Sequence, residues 1–151
     1  MTDVFTPAKR SAIMARIHGK NTAPELAVRS LLHRMGYRFR LHRKALPGRP
    51  DIVLPKYRAV IFVHGCFWHG HTCKRGAMPT SNAAFWKKKI TGNCERDKNN
   101  YKKLRAMRWR VLVLWQCQLQ KHLDKTLLHF LKARQSGRKN GKQASQTQRK
   151  K

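Results

Sequence analysis

The sequence predicts an α/β domain, a small mixed β-sheet flanked by helices, and three observations predict it. The elements read in the order helix, helix, strand, strand, strand, helix, strand, helix. The apolar runs at residues 51–54, 59–63 and 110–115 are short and nearly continuous, as strands covered on both faces are. A length of 151 residues suits one hydrophobic core and is too short for two.

Thr6-Pro7 followed by Ile13, Met14 and Ile17 predicts a short basic helix with a thin apolar stripe. A second helix begins near Thr22-Ala23-Pro24, turns Leu26, Leu31 and Leu32 inward, and stops at Gly36. Residues 37–41 alternate with period two as a half-buried strand does, and Pro47-Gly48-Arg49-Pro50 is turn material. The runs at 51–54 and 59–63 flank Pro55-Lys56-Tyr57-Arg58, a four-residue connection that predicts a hairpin. If Leu54 faces Ala59, then Asp51 faces Phe62, and residues 63 and 64 come alongside Pro50-Asp51. A Gly, Cys and His-rich loop from Gly65 to about Ser81 precedes a long basic helix from Asn82 to about Met107, with a break expected near Gly92. A buried strand over 110–115 and a closing helix over 119–131 complete a domain spanning 1–133, in which residues 1–20 form the N-terminal helical segment. Residues 134–151 have nothing to bury and are expected to be a disordered basic tail.

Lys and Arg total 35 against 6 Asp and Glu, a formal charge of +29 that calls for a polyanionic partner, and nucleic acid is the obvious one. No apolar run is long enough to span a bilayer and no signal-peptide pattern opens the chain, so a soluble intracellular protein is expected. In a reducing compartment Cys66, Cys73, Cys94 and Cys117 favour metal ligation or free thiols over disulfides. A surface that meets phosphate gains nothing from acids, so each acid needs a reason. Asp3 falls in a loose end and Asp124 is an expected helix cap, which leaves Glu25, Asp51, Glu95 and Asp97.

Cys66, His71 and Cys73 come from one loop and Cys117 from just past the last strand, a Cys3His set that would hold a structural zinc ion with no position open for water. His69 competes with His71 for this role; His71 is preferred because it leaves His69 free but rigidly held. The alternative is cysteines buried as small apolar residues, the expectation for Cys94. Asp51, fixed by Pro50 at the head of a central strand, is the best candidate for a hard Mg²⁺ ligand, with the main-chain carbonyl of Val63 as a second oxygen. His64 and His69 then lie at the neighbouring strand end, where His69 is the expected general base. Asp97 would orient one of the imidazoles, and Glu25 would hold a water or a histidine. Phe67, Trp68 and Trp86 are either core aromatics beneath a long loop or rings that stack on bases. Met14 and Ile17, read alone, would pack on the sheet.

The run Pro47-Gly48-Arg49-Pro50-Asp51, the run from Val60 through Gly65-Cys66-Phe67-Trp68-His69-Gly70-His71-Thr72-Cys73, and Asn93-Cys94-Glu95-Arg96-Asp97 closely resemble the bacterial very-short-patch repair (Vsr) mismatch endonucleases, over roughly residues 8 to 120. The resemblance implies a variant of the PD-(D/E)XK nuclease fold, restriction-endonuclease-like, with Phe62-x-His64 in the slots of the usual acid-x-lysine pair. It implies Mg²⁺ at Asp51 and the carbonyl of Val63, His69 acting on the attacking water, and His64, Asp97 and Glu25 in support. Zinc at Cys66, His71, Cys73 and Cys117 is implied as well. So are a major-groove wedge of Phe67, Trp68 and Trp86 and a minor-groove clasp by Met14 and Ile17, which reverses their reading as packing residues. The implied activity is a nick 5′ of the mispaired T in a T:G mismatch, made on double-stranded DNA by a monomer. Val63 stands where the family often has Thr, and Gln116 where an acid often precedes the last zinc cysteine.

Overall fold

The computed structural model describes residues 6–16 and 19–133. Asp3, Ile17 and the expected tail over 134–151 lie outside the described residues. The elements are α1 (Pro7–Ala15), α2 (Ala23–Arg34), β1 (Arg40–Leu41), β2 (Ile52–Leu54), β3 (Ala59–His64), α3 (Ala83–Ala106), β4 (Arg110–Trp115) and α4 (Leu123–Lys132). No helix among the described residues is long and apolar enough to cross a membrane.

The sheet runs β1-β2-β3-β4, antiparallel at the first two pairings and parallel at the last. The hairpin has the expected register, Leu54 opposite Ala59 and Ile52 opposite Ile61, closed by a 3-10 turn and by Arg58 at φ +48°. Period-two alternation divides the strands between two cores. Ile52, Leu54, Ala59, Ile61, Val63 and Leu114 face α2 and α4 through Val28, Leu32, Leu127 and Leu131. On the other side Val53, Val60 and Phe62 pack with Leu46 and Leu104 and with the half-buried Tyr101, Trp109, Val111 and Val113.

Several elements differ from the sequence reading. In α2 the buried stripe is Glu25, Val28, Arg29 and Leu32, while Leu26 is 50% exposed, because an ion pair at one end of the stripe rotates the helix away from an all-apolar face. Leu31 only flanks the core. The strand expected over 37–41 shrinks to Arg40–Leu41, although Tyr37 and Phe39 still pack on the core. Helix α3 is unbroken at Gly92, since one glycine costs only about 1 kcal/mol in a helix whose inward stripe holds it down. Strand β4 is half-buried rather than buried, as an edge strand is. Helix α4 starts at Leu123, after a 3-10 turn over Gln116–Gln118, with His122 as its cap and Asp124 inside the first turn. In α1, capped by Thr6, Ile13 is exposed and Met14 half-buried, and neither belongs to a core cluster, so the packing reading fails for Met14.

Candidate active site and metal centre

The sheet topology gathers the chemistry at one edge. In the parallel register His64 stands opposite Trp115, so β3 and β4 end together and the loops that follow them are neighbours. That brings Cys117 to Cys66, His71 and Cys73. The three sulfurs and one imidazole nitrogen all lie within 4.8 Å of one another, and Cys117 Sγ is 3.6 Å from His71 Nδ1. A tetrahedral ion with bonds of about 2.0–2.3 Å fits such a cage. The thiols also call for a cation. The first thiolate is favoured, Cys73 being lowered to about 6 chiefly by its hydrogen bond with His71. A second is opposed: desolvation and the neighbouring Cys66 and Cys73 push Cys117 up to about 11. These four residues could hold zinc, and His71 rather than His69 is the member of the set.

The loop that carries them is wound tightly. His71 N–H donates to the Cys66 carbonyl at 2.9 Å and Gly76 N–H to the Cys73 carbonyl at 2.8 Å. A side chain at Gly76 would run into the His71 carbonyl, and Gly70, at φ +65°, lets the loop lie against Cys94 and Ile90 of α3. Helix α3 points Ile90, Cys94, Asp97, Tyr101 and Leu104 along one stripe, the spacing of an inward helical face. Asn93 donates to the Trp68 carbonyl at 3.0 Å and the Cys94 thiol to the His69 carbonyl at 3.2 Å. Cys94, expected to be inert filling, is therefore a half-buried clamp on the loop. One turn further on, Asp97 Oδ2 accepts from His69 Nδ1 at 2.6 Å. With Nδ1 protonated, the lone pair of His69 is on Nε2.

His64 is buried, and its ring stacks on that of His69 with centroids 3.6 Å apart and planes 13° from parallel. By distance alone, His64, His69 and Asp97 are close enough to share a metal ion. Stacked rings aim their nitrogens side by side rather than at a common point, and Asp97 already holds the His69 proton. The Tyr101 hydroxyl lies 3.1 Å from His64 Nε2, and Trp115 sits between the two centres, 5.3 Å from the His64 ring and 4.4 Å from that of His71.

Asp51 comes to this edge through the hairpin register: its Oδ2 accepts the Val63 N–H at 2.8 Å. Oδ1 looks toward His42 Nδ1, 4.0 Å away. A half-buried carboxylate with one amide donor is short of positive charge, which suits a hard divalent cation such as Mg²⁺ with the oxygen of Val63 as a further donor. Glu25 meets protein donors at both carboxylate oxygens. Its Oε1 accepts from the Thr22 hydroxyl at 3.0 Å, and its Oε2 from Asn21 N–H at 3.1 Å and from Arg29 at 2.7 Å. His42 Nε2 is 3.8 Å from Oε2, a neighbour rather than a hydrogen-bonded partner. Arg29, His42 and Tyr101 were not singled out from the sequence. Only Arg29 left a trace there, as a cation four residues after an acid on one helix. Glu95 is exposed.

Burial raises Asp51 to about 6 and lowers His64 to about 4, the charge of His69 adding to the second shift. Their effects on folding oppose each other. A raised carboxyl stabilises the fold below about pH 4, and that contribution is lost as pH rises to about 6. A depressed imidazole contributes stability above about pH 6.5 that is lost as pH falls to about 4. Each two-unit shift is worth about 3 kcal/mol. Without added Mg²⁺, Asp51→Asn should therefore uncover a urea-unfolding free energy that rises by about 2–3 kcal/mol between pH 4 and 6.5, where the wild-type profile is nearly flat. A flat profile in the variant would show that His64 is not desolvated as described.

Phe67, Trp68 and Trp86 form one edge-to-face group with centroids 5.1 to 6.0 Å apart, all three half-buried. They lie outside both cores, which removes the reading as core aromatics. Phe85, 50% exposed, extends the group to 5.2 Å from Trp86.

The family model for DNA mismatch endonuclease Vsr matches residues 2–75. The type II nicking enzyme V.XorIIP of Xanthomonas oryzae pv. oryzae is 56% identical over 119 residues, 79% of this chain and 88% of that protein. V.NmeAIP, a type II nicking enzyme of Neisseria meningitidis, is 51% identical over 120 residues, 80% of this chain and 86% of its own length. The DNA mismatch endonuclease Vsr of Escherichia coli is 45% identical over 120 residues, 80% of this chain and 77% of that enzyme. With identity this high over some four-fifths of its length, the chain belongs to the Vsr family of DNA mismatch endonucleases and is a DNA-nicking endonuclease.

Proposed function

We propose that the enzyme nicks one strand of duplex DNA 5′ of the T in a T:G mismatch, the lesion left by deamination of 5-methylcytosine, and so starts short-patch repair. The observation that carries the reading is the convergence of Asp51, through its bond to Val63 N–H, with the His64–His69–Asp97 group at one sheet edge. Asp51 and the Val63 carbonyl would hold Mg²⁺, which when bound supplies charge neutralisation at the phosphate and acidifies water. Since only the main-chain oxygen of residue 63 is used, valine there costs nothing. His69 Nε2 takes the proton of the attacking water, and Asp97 fixes the ring and stabilises the imidazolium that results. His64, uncharged at neutral pH, keeps that proton on its neighbour. Cys66, His71, Cys73 and Cys117 would hold zinc and stiffen the loop that carries His69. Gln116 lies outside that ligand set.

Phe67, Trp68 and Trp86 form the wedge that enters the major groove at the mispair, and Met14 and Ile17 clasp the minor groove. Beside Trp86, Lys88, Lys89 and Arg96 line an open trough with Phe85, Gly92 and Asn93, a track for the phosphate backbone. One strand needs one active site, so a monomer suffices.

The relatives called type II nicking enzymes favour a second reading, a restriction-associated nuclease without mismatch selectivity. Nicking of T:G duplexes against paired T:A duplexes, across varied flanking bases and with Mg²⁺ present or absent, separates the two. The proposal expects cutting of T:G alone. Because stacking on a base is worth about 1–3 kcal/mol, Trp68→Ala should slow T:G nicking about 10–100-fold with zinc content unchanged. Equal cutting of both duplexes by the wild type would overturn mismatch selectivity.

A further inference from the structure

Between the Glu25 and Asp51 carboxylates lies His42, on the segment that follows β1, at φ +43°. Its Nε2 is 3.0 Å from the Arg29 guanidinium and its Nδ1 is 4.0 Å from Asp51 Oδ1. A guanidinium is always charged and has donors only, so the nitrogen facing it must accept. This fixes a neutral imidazole whose proton is on Nδ1, the nitrogen 4.0 Å from Asp51 Oδ1 and so beyond direct hydrogen-bond reach. Arg29 is itself held from two further sides, donating to Asn21 Oδ1 at 2.7 Å and to Glu25 Oε2 at 2.7 Å. Its Nε is buried with no hydrogen-bond partner among the described residues. A guanidinium buried with one N–H unsatisfied is costly to the fold. What it gains is orientation: one planar fork sets Glu25, Asn21 and His42 together.

We propose that Arg29 and His42 form a positioning relay, in which Arg29 locks the tautomer of His42 and the Nδ1–H of His42, beyond direct hydrogen-bond reach at 4.0 Å, orients the Asp51 carboxylate through a bridging water for the hydrolytic step. The relay rests on the reading of Asp51 as the centre of the reaction. His42 touches no reacting atom and acts through Asp51. Groups that orient a metal-binding carboxylate are commonly worth about 10–100-fold in activity or metal affinity.

The test uses full-length His42→Ala and His42→Gln, on the duplex that the wild type nicks. Four quantities are read: the single-turnover rate, DNA affinity in Ca²⁺, Mn²⁺ binding to the DNA-free protein by calorimetry, and thermal stability. His42 is partly exposed, so both variants should fold. His42→Ala is expected to slow the rate and weaken Mn²⁺ binding about 10–100-fold, with DNA affinity and Tm nearly unchanged. His42→Gln, whose amide also presents an N–H, should regain most of both. Arg29→Met should cost much less in the His42→Ala background than alone, as two residues of one relay do; if Arg29→Met does not fold, the His42 pair decides. The relay is overturned if His42→Ala stays within about twofold of the wild type, if glutamine rescues no better than alanine, or if the loss tracks Tm. Asp51→Ala run in parallel keeps the failures apart. If it nicks normally, the proposed reaction centre is wrong; if it is dead while His42→Ala is normal, only the relay is.

Discussion

Asp51→Ala is expected to lower the single-turnover nicking rate by about 10³-fold or more while leaving DNA affinity intact. The size follows from what the residue does. In the proposed reaction its carboxylate is the hard oxygen donor for the cation, and losing charge stabilisation of several kcal/mol at a phosphate is worth at least three orders of magnitude. Binding should survive because it does not depend on this group: a chain with formal charge +29 draws on many phosphate contacts, and removing an acid relieves one repulsion. Asp51→Asn separates charge from shape, since an amide keeps the volume and can still face Val63 N–H with its oxygen. It should be as inactive as alanine if the negative charge is what matters. A gel-shift titration in Ca²⁺ and a nicking time course in Mg²⁺ read the two properties independently. Nicking by Asp51→Ala at the wild-type rate would remove Asp51 from the centre.

The hairpin that delivers Asp51 was legible in the sequence because strand geometry is rigid. A four-residue connection and a period of two leave few registers, and the one that pairs Leu54 with Ala59 puts Asp51 beside Val63. The Cys3His set was legible for a similar reason, as ligand chemistry narrows the partners. The helices were harder. The stripe of α2 was misplaced by one face because Glu25 and Arg29 are buried as a pair, which apolar periodicity does not register. The 3-10 turn at Gln116–Gln118 that delays α4 is a feature of the last-strand loop, and it carries the fourth thiol to its cage. His42 and Tyr101 belong to the site through contacts 13 and 37 residues distant in sequence. Local pattern holds no record of such contacts.

Zinc removal is expected to abolish nicking in a way that Mg²⁺ alone cannot restore. Residues 66, 71 and 73 follow β3 and residue 117 follows β4, so a bound ion would tie together the ends of two parallel strands. Four-ligand zinc sites bind with apparent free energies of about 10–16 kcal/mol in small peptides, as large as the whole stability of a typical domain, about 5–15 kcal/mol. Losing the ion should therefore unfold the chain or at least release residues 65–76, and with them the Asp97-held ring of His69 and the Phe67–Trp68 part of the aromatic group. Exhaustive chelation removes both metals, so the order of return discriminates between them. Excess Mg²⁺ given to the stripped protein should recover almost no activity, whereas one equivalent of Zn²⁺ followed by Mg²⁺ should recover it. Near-ultraviolet dichroism reports the fold through Trp115, which lies against His71, and through Trp68. Cys117→Ser, which weakens the cage from the β4 side alone, should lower both zinc content and Tm. Should stripped protein keep its Tm and nick as soon as Mg²⁺ is added, the cluster is four side chains that happen to meet, and the rigidity of His69 must come from α3 alone.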